Sequence, residues 1–227
     1  MKLHPLYMDN VFINCPFDEE YDPIFEAMVF AVHACGFIAR CAKEYEDSDA
    51  IRIEMIFKII YECKYGIHDL SRIDLSGNTL PRFNMPLELG IFMGCKKFGT
   101  SMQKEKKYLV LDSEKYRYKQ FISDISGQDI HAHGNQPAEA IKSIRNWLAF
   151  SSKRKTVPGA SFIISQFENF KEELPEICLE NRWSEKELIF PEFSGLVTQW
   201  LTDSQNGVVR KVPRNKRGKL SKALHAN

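Results

Sequence analysis

The sequence predicts an α/β protein, in which helices pack against a mainly parallel β-sheet. Short apolar runs rich in β-branched and aromatic residues alternate along the chain with longer segments whose apolar residues recur at helical spacing. Enough residues lie between successive runs to form a crossover helix, and such a connection is typical of parallel strands. With 227 residues, 44% of them apolar and 27% charged, the chain can bury a core of ordinary size.

The amino-terminal part predicts two strand–helix units in succession. Residues 11–17 form an apolar run that a proline stops, which indicates a buried strand. The helix predicted over 23–34 is followed by Gly36, a residue typical of the position after a helix. A second strand at 37–42 and a helix over 51–63 repeat the pattern.

The middle of the chain predicts two more strands and one strongly apolar helix. Residues 65–70 form the third strand, and a loop over 71–81 leads to a helix that begins near Asn84. Since this helix is apolar on nearly every side, we expect it to be mostly buried. Residues 107–112 form the fourth and clearest strand.

The rest of the chain predicts mostly helices. We expect a helix over 116–125, a loop over 127–136, an amphipathic helix over 137–150, and shorter helices at 161–174, 184–188 and 193–201. Strands that alternate with helices in this way form βαβ units with right-handed crossovers. We therefore expect a flavodoxin-like or Rossmann-like three-layer fold for residues 1–150 and a C-terminal helical extension over residues 151–205.

The charge of the chain is unevenly distributed. Seven of its 31 Lys and Arg residues lie from Arg210 onward with no Asp or Glu among them, which leaves the other residues with 24 basic and 30 acidic side chains. Residues 206–227 therefore form a basic tail for which disorder is expected. This tail is either a solvated end or, through residues 210–227, a contact for nucleic acid or a partner.

Composition predicts a cytoplasmic protein. The sequence has no run of about 18 apolar residues, and its start lacks the basic and apolar regions of a signal peptide, so no membrane association is expected. Six cysteines are scattered without a C-x-x-C pair or a histidine at zinc spacing. We expect reduced, buried thiols and neither a metal nor a cofactor.

Glu88 is the candidate catalytic residue. Pro86 fixes φ and lacks an N–H, so it is best tolerated in the first turn of a helix, which the amide oxygen of Asn84 could cap. Glu88 then lies near the positive end of the helix dipole in an otherwise apolar segment. It is either a carboxylate that performs chemistry or a first-turn glutamate that only stabilises the helix.

Other polar residues are predicted to converge on the same edge of the sheet, because ligands bind beyond the carboxyl ends of parallel strands. Asn14 and Phe17 end the first strand. Asp69 ends the third, where it either binds a ribose hydroxyl or caps the following turn. Arg72 and Arg82 flank the next loop and could hold a phosphate through paired N–H donors.

Several ligand-binding motifs do not occur in the sequence. The loop over 16–20 has three acids and no glycine, and neither G-x-x-x-x-G-K-[ST] nor G-x-S-x-G is present. This argues against dinucleotide-dependent hydride transfer, a P-loop NTPase and a serine hydrolase. The acids of 16–20 and 44–49 could bind a divalent cation or be solvated. His131 and His133 could be metal ligands or simply polar loop residues.

Three short motifs resemble those of nucleoside 2-deoxyribosyltransferase-like proteins. They are Asn14 to Phe17 at the end of the first strand, Asp69 at the end of the third, and Asn84 to Gly90, which contains Glu-x-Gly. Bacterial TIR-like domains share the order of elements and also have a catalytic glutamate in the helix after the third or fourth strand. By element order the resemblance covers residues 11–150, although the transferases usually have an aspartate and a glycine where this chain has Asn84 and Pro86.

The resemblance implies cleavage of an N-glycosidic bond in NAD, a nucleoside or a nucleotide, with Glu88 as the nucleophile. It also implies that Asp69 and Asn84 bind the ribose and that Asn14 and Phe17 shape the pocket. An ionised carboxylate can stabilise or trap the oxocarbenium-like state of such a reaction. The nicotinamide of NAD is already cationic, so it leaves without the help of an acid.

Proteins of both families often serve in bacterial antiphage defence. The resemblance thus implies an effector that acts as a homo-oligomer or with a defence-complex partner, and NAD would be a substrate rather than a cofactor. Two other functions stay open. One is a non-catalytic nucleotide-binding sensor with the same pocket, and the other is a scaffold subunit that buries the apolar helices at 87–93 and 193–201 against a partner.

Overall fold

The computed structural model describes residues 4–45, 51–72 and 83–207, which form one sheet and six α-helices. The strands are β1 (Asn10–Asn14), β2 (Ile38–Cys41), β3 (Tyr65–Asp69), β4 (Lys107–Asp112) and β5 (Ile130–Ala132). The helices are α1 (Asp22–Ala34), α2 (Arg52–Glu62), α3 (Asn84–Phe98), α4 (Pro137–Ser152), α5 (Ala160–Glu180) and α6 (Phe190–Gln205).

The sheet is parallel throughout, in the order β2-β1-β3-β4-β5. This is the flavodoxin-like order, so the predicted α/β fold with a parallel sheet is confirmed. The chain runs from β1 outward to β2 and then crosses back to β3. The carboxyl ends of β1 and β3 therefore flank the switch in strand order, where open α/β sheets bind their ligands.

Helices cover both faces of the sheet and produce three layers. The side chains of β1, which lies between β2 and β3, alternate between the two cores: Val11 and Ile13 pack with α1 and α4, whereas Phe12 packs with α2 and α3. All three side chains are fully buried, as expected for a parallel strand covered on both faces.

The C-terminal helices α5 and α6 enlarge the core on the α1 side. Phe30 of α1 contacts Phe167 and Phe170 of α5 and Trp200 of α6, with ring centroids 5.4, 5.5 and 5.9 Å apart. One continuous hydrophobic cluster runs from the sheet through α1 into both helices. The helical extension is thus joined to the α/β layers by a shared core.

Two predictions between β4 and α4 are wrong. The helix predicted over 116–125 is two short 3₁₀ turns, Arg117–Gln120 and Ser123–Ile125, and the loop predicted over 127–136 contains β5. Tyr118 and Ile125 are both buried and seven residues apart, which is the spacing of two helical turns. The apolar pattern therefore resembled that of a helix. β5 was not predicted because it has only three residues, which are too few to show an alternation of apolar and polar side chains.

The C-terminal helices also differ in length from their predictions. α5 continues through Pro175 to Glu180, because Leu174, Ile177 and Cys178 keep the apolar face buried beyond the proline. The predicted helix at 184–188 is a single 3₁₀ turn, and α6 is several residues longer at both ends than the predicted 193–201.

Some predicted features lie outside the described residues, namely Arg82, residues 46–50 of the acidic loop and the tail over 210–227. Within the described ranges, no helix combines the length and the apolarity needed to cross a membrane. All six cysteines are free, five of them buried and Cys95 partly buried, in agreement with the prediction of reduced thiols.

Candidate functional site

The carboxyl edge of the sheet gathers buried polar side chains from three neighbouring strands. Asn14 ends β1, His68 and Asp69 end β3, and Asp112 ends β4. Each of these side chains is at most 3% exposed. Buried polar groups need hydrogen-bond partners, so hydrogen bonds help to hold this edge together.

Glu88 lies on the buried face of α3 and is 7% exposed. Burial raises the pKa of its carboxyl to about 7, while the guanidinium of Arg52, at the start of α2, acts in the opposite direction. Within the described part of the chain, no group donates a hydrogen bond to this carboxylate. Glu88 is therefore a buried acid without a protein partner for its oxygens there.

The start of α3 differs from the prediction in three respects. The cap residue is Phe83, no side chain caps the helix, and Asn84 is exposed. Glu88 lies in the second turn, and the first turn contains no acid, so the interpretation of Glu88 as a first-turn dipole partner is wrong. The helix also is not mostly buried, since Leu87 is 54% exposed, because α3 covers the sheet with one face only.

Replacing Glu88 tests its burial without any substrate. Between about pH 4.5 and 7 the unfolded chain releases the Glu88 proton while the folded chain retains it, so the free energy of unfolding falls as pH rises. We expect Glu88→Gln to raise the free energy of unfolding by about 2–3 kcal/mol at pH 8 and by almost nothing at pH 4. Urea unfolding at both pH values measures this, and equal effects at pH 4 and 8 would contradict it.

Asn14 connects the end of β1 to its neighbours on the α3 side. Its amide nitrogen donates to the backbone carbonyl of Met85, at 2.9 Å, and lies 3.0 Å from Nδ1 of His68. The sequence predicted Asn14 as a pocket residue. In the structure both amide hydrogens have acceptors within the protein.

Asp69 belongs to a second cluster of hydrogen bonds. Its Oδ1 accepts from the backbone N–H of Ser71 at 2.8 Å, and its Oδ2 lies 2.9 Å from Nε2 of His133. Burial acts to raise the pKa of Asp69, but the bonds from His133 and Ser71 and the nearby Tyr21 hydroxyl outweigh it and hold the pKa below its usual value. The Ser71 bond is the turn cap that the sequence left open as the alternative, and ribose binding by Asp69 stays a prediction.

Ser71, His133 and Asp69 do not form a serine-hydrolase triad, although all three are in contact. Ser71 Oγ and Asp69 Oδ2 both approach the same ring nitrogen, Nε2, at 3.0 and 2.9 Å. The other nitrogen, Nδ1, accepts from the backbone N–H of Asn135. A triad needs the serine and the aspartate on opposite nitrogens, so His133 cannot relay a proton here.

The charges of Asp69 and Glu88 both act on Cys15, the residue that follows β1. The Cys15 thiol is fully buried, and after burial itself the charges of Asp69 and, more weakly, Glu88 raise its pKa. Both carboxylates are therefore close enough to act on one sulfur atom.

Asp112 and Arg117 form a buried ion pair that the sequence did not predict. Arg117 donates from Nε and Nη2 to Asp112 Oδ1, at 2.9 and 2.7 Å, and also to the backbone carbonyl of Leu70. Burial raises the pKa of Asp112 although Arg117 opposes the shift. Both bonds from Arg117 to the carboxylate reach Oδ1, and the buried Oδ2 has no hydrogen-bond partner among the residues that the structure describes.

The remaining predicted ligands have different surroundings. Phe17 is half-buried, with its ring edge-on to Phe25 at 5.3 Å and the Lys43 ammonium 4.9 Å from its centroid. Arg72 pairs with Glu20 at 2.7 Å and more distantly with Asp18, so its guanidinium is held by the acidic loop after β1.

The two loop histidines have separate roles. His133 belongs to the Asp69 cluster, whereas His131 is partly exposed and lies 3.4 Å from Asp129. Among the residues that the structure describes, no three His, Cys, Asp or Glu side chains are arranged to hold a metal ion.

The fold and this edge define a class: an open, parallel α/β protein with a buried carboxylate that has no hydrogen-bond donor within the described ranges, beside the switch in strand order. No protein-family model matches the chain, and neither a characterised protein nor a solved structure matches it. The function is therefore argued from the site itself.

Proposed function

We propose that this protein cleaves the N-glycosidic bond of NAD, or of another nucleotide or nucleoside, with Glu88 as the nucleophile. The observation that carries the proposal is the state of Glu88. Its carboxyl is buried, has a raised pKa, and receives no hydrogen bond within the described residues. A perturbed acid beside the switch in strand order is a typical catalytic candidate, because structural acids usually have partners.

The chemistry suits a single carboxylate. As the C–N bond breaks, positive charge develops on the ribose, and an ionised Glu88 on the face opposite the base would stabilise it or form a glycosyl–enzyme bond. Water would then release the sugar. A cationic nicotinamide leaves as a neutral base, so no second acid has to protonate it.

The other predicted residues would complete the site. Phe17 offers an aromatic face near the carboxyl edge, and Arg72 and Arg82 are the proposed phosphate ligands. Arg72 would have to exchange its contact with Glu20 for the substrate. Asn84, which is exposed at the start of α3, is the proposed ribose ligand together with Asp69.

The pH dependence of the reaction follows from the pKa of Glu88. A nucleophile must be ionised, so we expect kcat to be low at pH 5.5, to rise with a midpoint near the pKa of about 7, and to level off above it. A bound substrate would shift this midpoint upward by excluding water from Glu88, and a cationic nicotinamide would shift it downward. A rate that is constant between pH 5 and 8 would show that ionisation of Glu88 does not control the reaction.

The test is chromatography of NAD and of a panel of nucleosides and nucleotides after incubation with the purified protein. Release of a free base by the wild type but not by Glu88→Gln is the expected result and identifies the substrate. Binding of a nucleotide without turnover would favour the sensor. If nothing is bound or cleaved, the scaffold interpretation is favoured.

As the resemblance implies, we further propose that the activity serves antiphage defence, in a homo-oligomer or a complex.

A further inference from the structure

The amide of Asn14 has a fixed orientation. Its nitrogen carries two hydrogens, one directed at the Met85 carbonyl, 2.9 Å away, and the other at Nδ1 of His68, 3.0 Å away. The reversed amide would turn its oxygen toward the Met85 oxygen, which is repulsive. His68 Nδ1 must therefore accept, and the neutral ring carries its proton on Nε2.

The His68 ring is held tightly in place. It lies edge-on to Phe12 and Phe92, with centroids 5.8 and 5.1 Å apart, and is fully buried. Gly66 lies two residues earlier on the same face of β3. A Cβ atom there would come within 2.8 Å of His68 Nε2 and 2.9 Å of the Phe92 ring, so only glycine leaves room for this arrangement.

The surroundings keep His68 uncharged. Burial is the main reason that its pKa falls to about 3, and the ammonium of Lys106 adds to the effect. Lys106 lies 4.4 Å from the centroid of the same Phe92 ring. His68 therefore remains a constant acceptor across the range of pH in which enzymes usually work.

Met85 lies three residues before Glu88, almost one turn earlier on α3. Because both residues belong to α3, a contact that fixes the distance of the Met85 carbonyl from the end of β1 also fixes the position of the Glu88 carboxylate. We propose that His68 is a positioning residue that orients Asn14, and through the Met85 carbonyl holds Glu88 in its buried, reactive place. The catalytic part of this inference rests on the proposed function.

The chain contains a matched control for this arrangement. Asn10 lies on the same strand and the same face as Asn14, and is likewise buried. Its amide nitrogen donates to the Glu62 carbonyl at 3.0 Å and lies 3.4 Å from Nδ1 of His4. It makes the same kinds of contact at the opposite end of the strand, away from Glu88.

The test compares Asn14→Asp and His68→Leu with Asn10→Asp. Misplacing a reacting group by about 1 Å costs on the order of 100-fold in rate. We expect kcat to fall by about 10- to 100-fold in the first two variants, with KM near the wild-type value, and to stay unchanged in Asn10→Asp. A loss of activity no larger than that of Asn10→Asp would overturn the positioning role in catalysis.

Two NMR measurements decide the inference without substrate. Nitrogen-15 spectra of the wild type should show His68 protonated on Nε2 only and unchanged between pH 5 and 8. Carbon-13 titration of the Glu88 carboxyl should give a midpoint that falls toward the ordinary value in His68→Leu, which adds no charge, but not in Asn10→Asp. A His68 that titrates in this range, or a Glu88 midpoint unmoved by His68→Leu, would overturn the inference even if Glu88→Gln is inactive.

Discussion

Glu88→Gln should reduce base release by roughly 10⁴-fold or more, because enzymes that lose a nucleophile or its activating partner lose about 10⁴–10⁶ in kcat. The amide has nearly the shape of the carboxylic acid but can neither form a glycosyl ester nor carry negative charge. Substrate binding should persist, since the substituted glutamine side chain would occupy the same buried position on α3. Single-turnover chromatography gives the rate, and isothermal titration calorimetry gives the affinity.

Glu26→Gln is the matched control for this experiment. Burial raises the pKa of the Glu26 carboxyl as well, but Glu26 lies on α1 and pairs with Lys171 of α5 at 2.9 Å. Its pKa is thus shifted in the same direction as that of Glu88, although Glu26 is only partly buried, and it has an ionic partner such as Glu88 lacks among the described residues. Full activity in Glu26→Gln alongside loss in Glu88→Gln assigns the effect to the site. Equal activity in all three proteins would exclude Glu88 as the nucleophile.

Lys106→Met should lower the free energy of unfolding by about 2–4 kcal/mol. Lys106 is fully buried, and its ammonium donates to the carbonyls of Ile60, at 2.6 Å, and Cys63 at the end of α2. Methionine has a similar shape but leaves two buried acceptors without this donor, each at a cost of about 1–3 kcal/mol. Relief from burying a charge, which lowers the pKa of Lys106 to about 8, offsets part of the loss.

The neighbouring Lys107→Met provides the control, because Lys107 is exposed at the start of β4. Substitutions at such surface positions usually change stability by less than about 0.5 kcal/mol. Urea unfolding of both variants at pH 7 measures the difference. If Lys106→Met were as stable as Lys107→Met, the contacts of the ammonium with α2 would contribute nothing to stability.

Most of the α/β layers could be predicted from the sequence because their signals are local. β4 has the predicted bounds, and α1 and α2 lie within a residue of theirs, since long apolar periodicities and helix-ending glycines act over short distances. β5 and the 3₁₀ turns before it were missed. Their conformation depends on pairing with β4 and on Arg117, which turns inward to Asp112.

The site was predictable only in part. An acid in an apolar helix is visible in the sequence, so Glu88 could be selected. The hydrogen-bond partners of Asn14, Asp69 and Lys106 could not be predicted, because each is determined by strand register and by contacts between residues distant in the sequence. In the sequence His68 is one polar residue within a predicted strand. Its proposed role in positioning follows only from its place beside Asn14 in the sheet.

Helix α1 is enclosed by the sheet on one side and by α4, α5 and α6 on the others. Phe30, near its middle, meets Trp200 from the far end of the described chain. During synthesis on the ribosome, α1 emerges early and stays partly uncovered until the last helices follow. Such distant contacts slow folding, and a nascent chain stopped before residue 160 would present an apolar surface to chaperones.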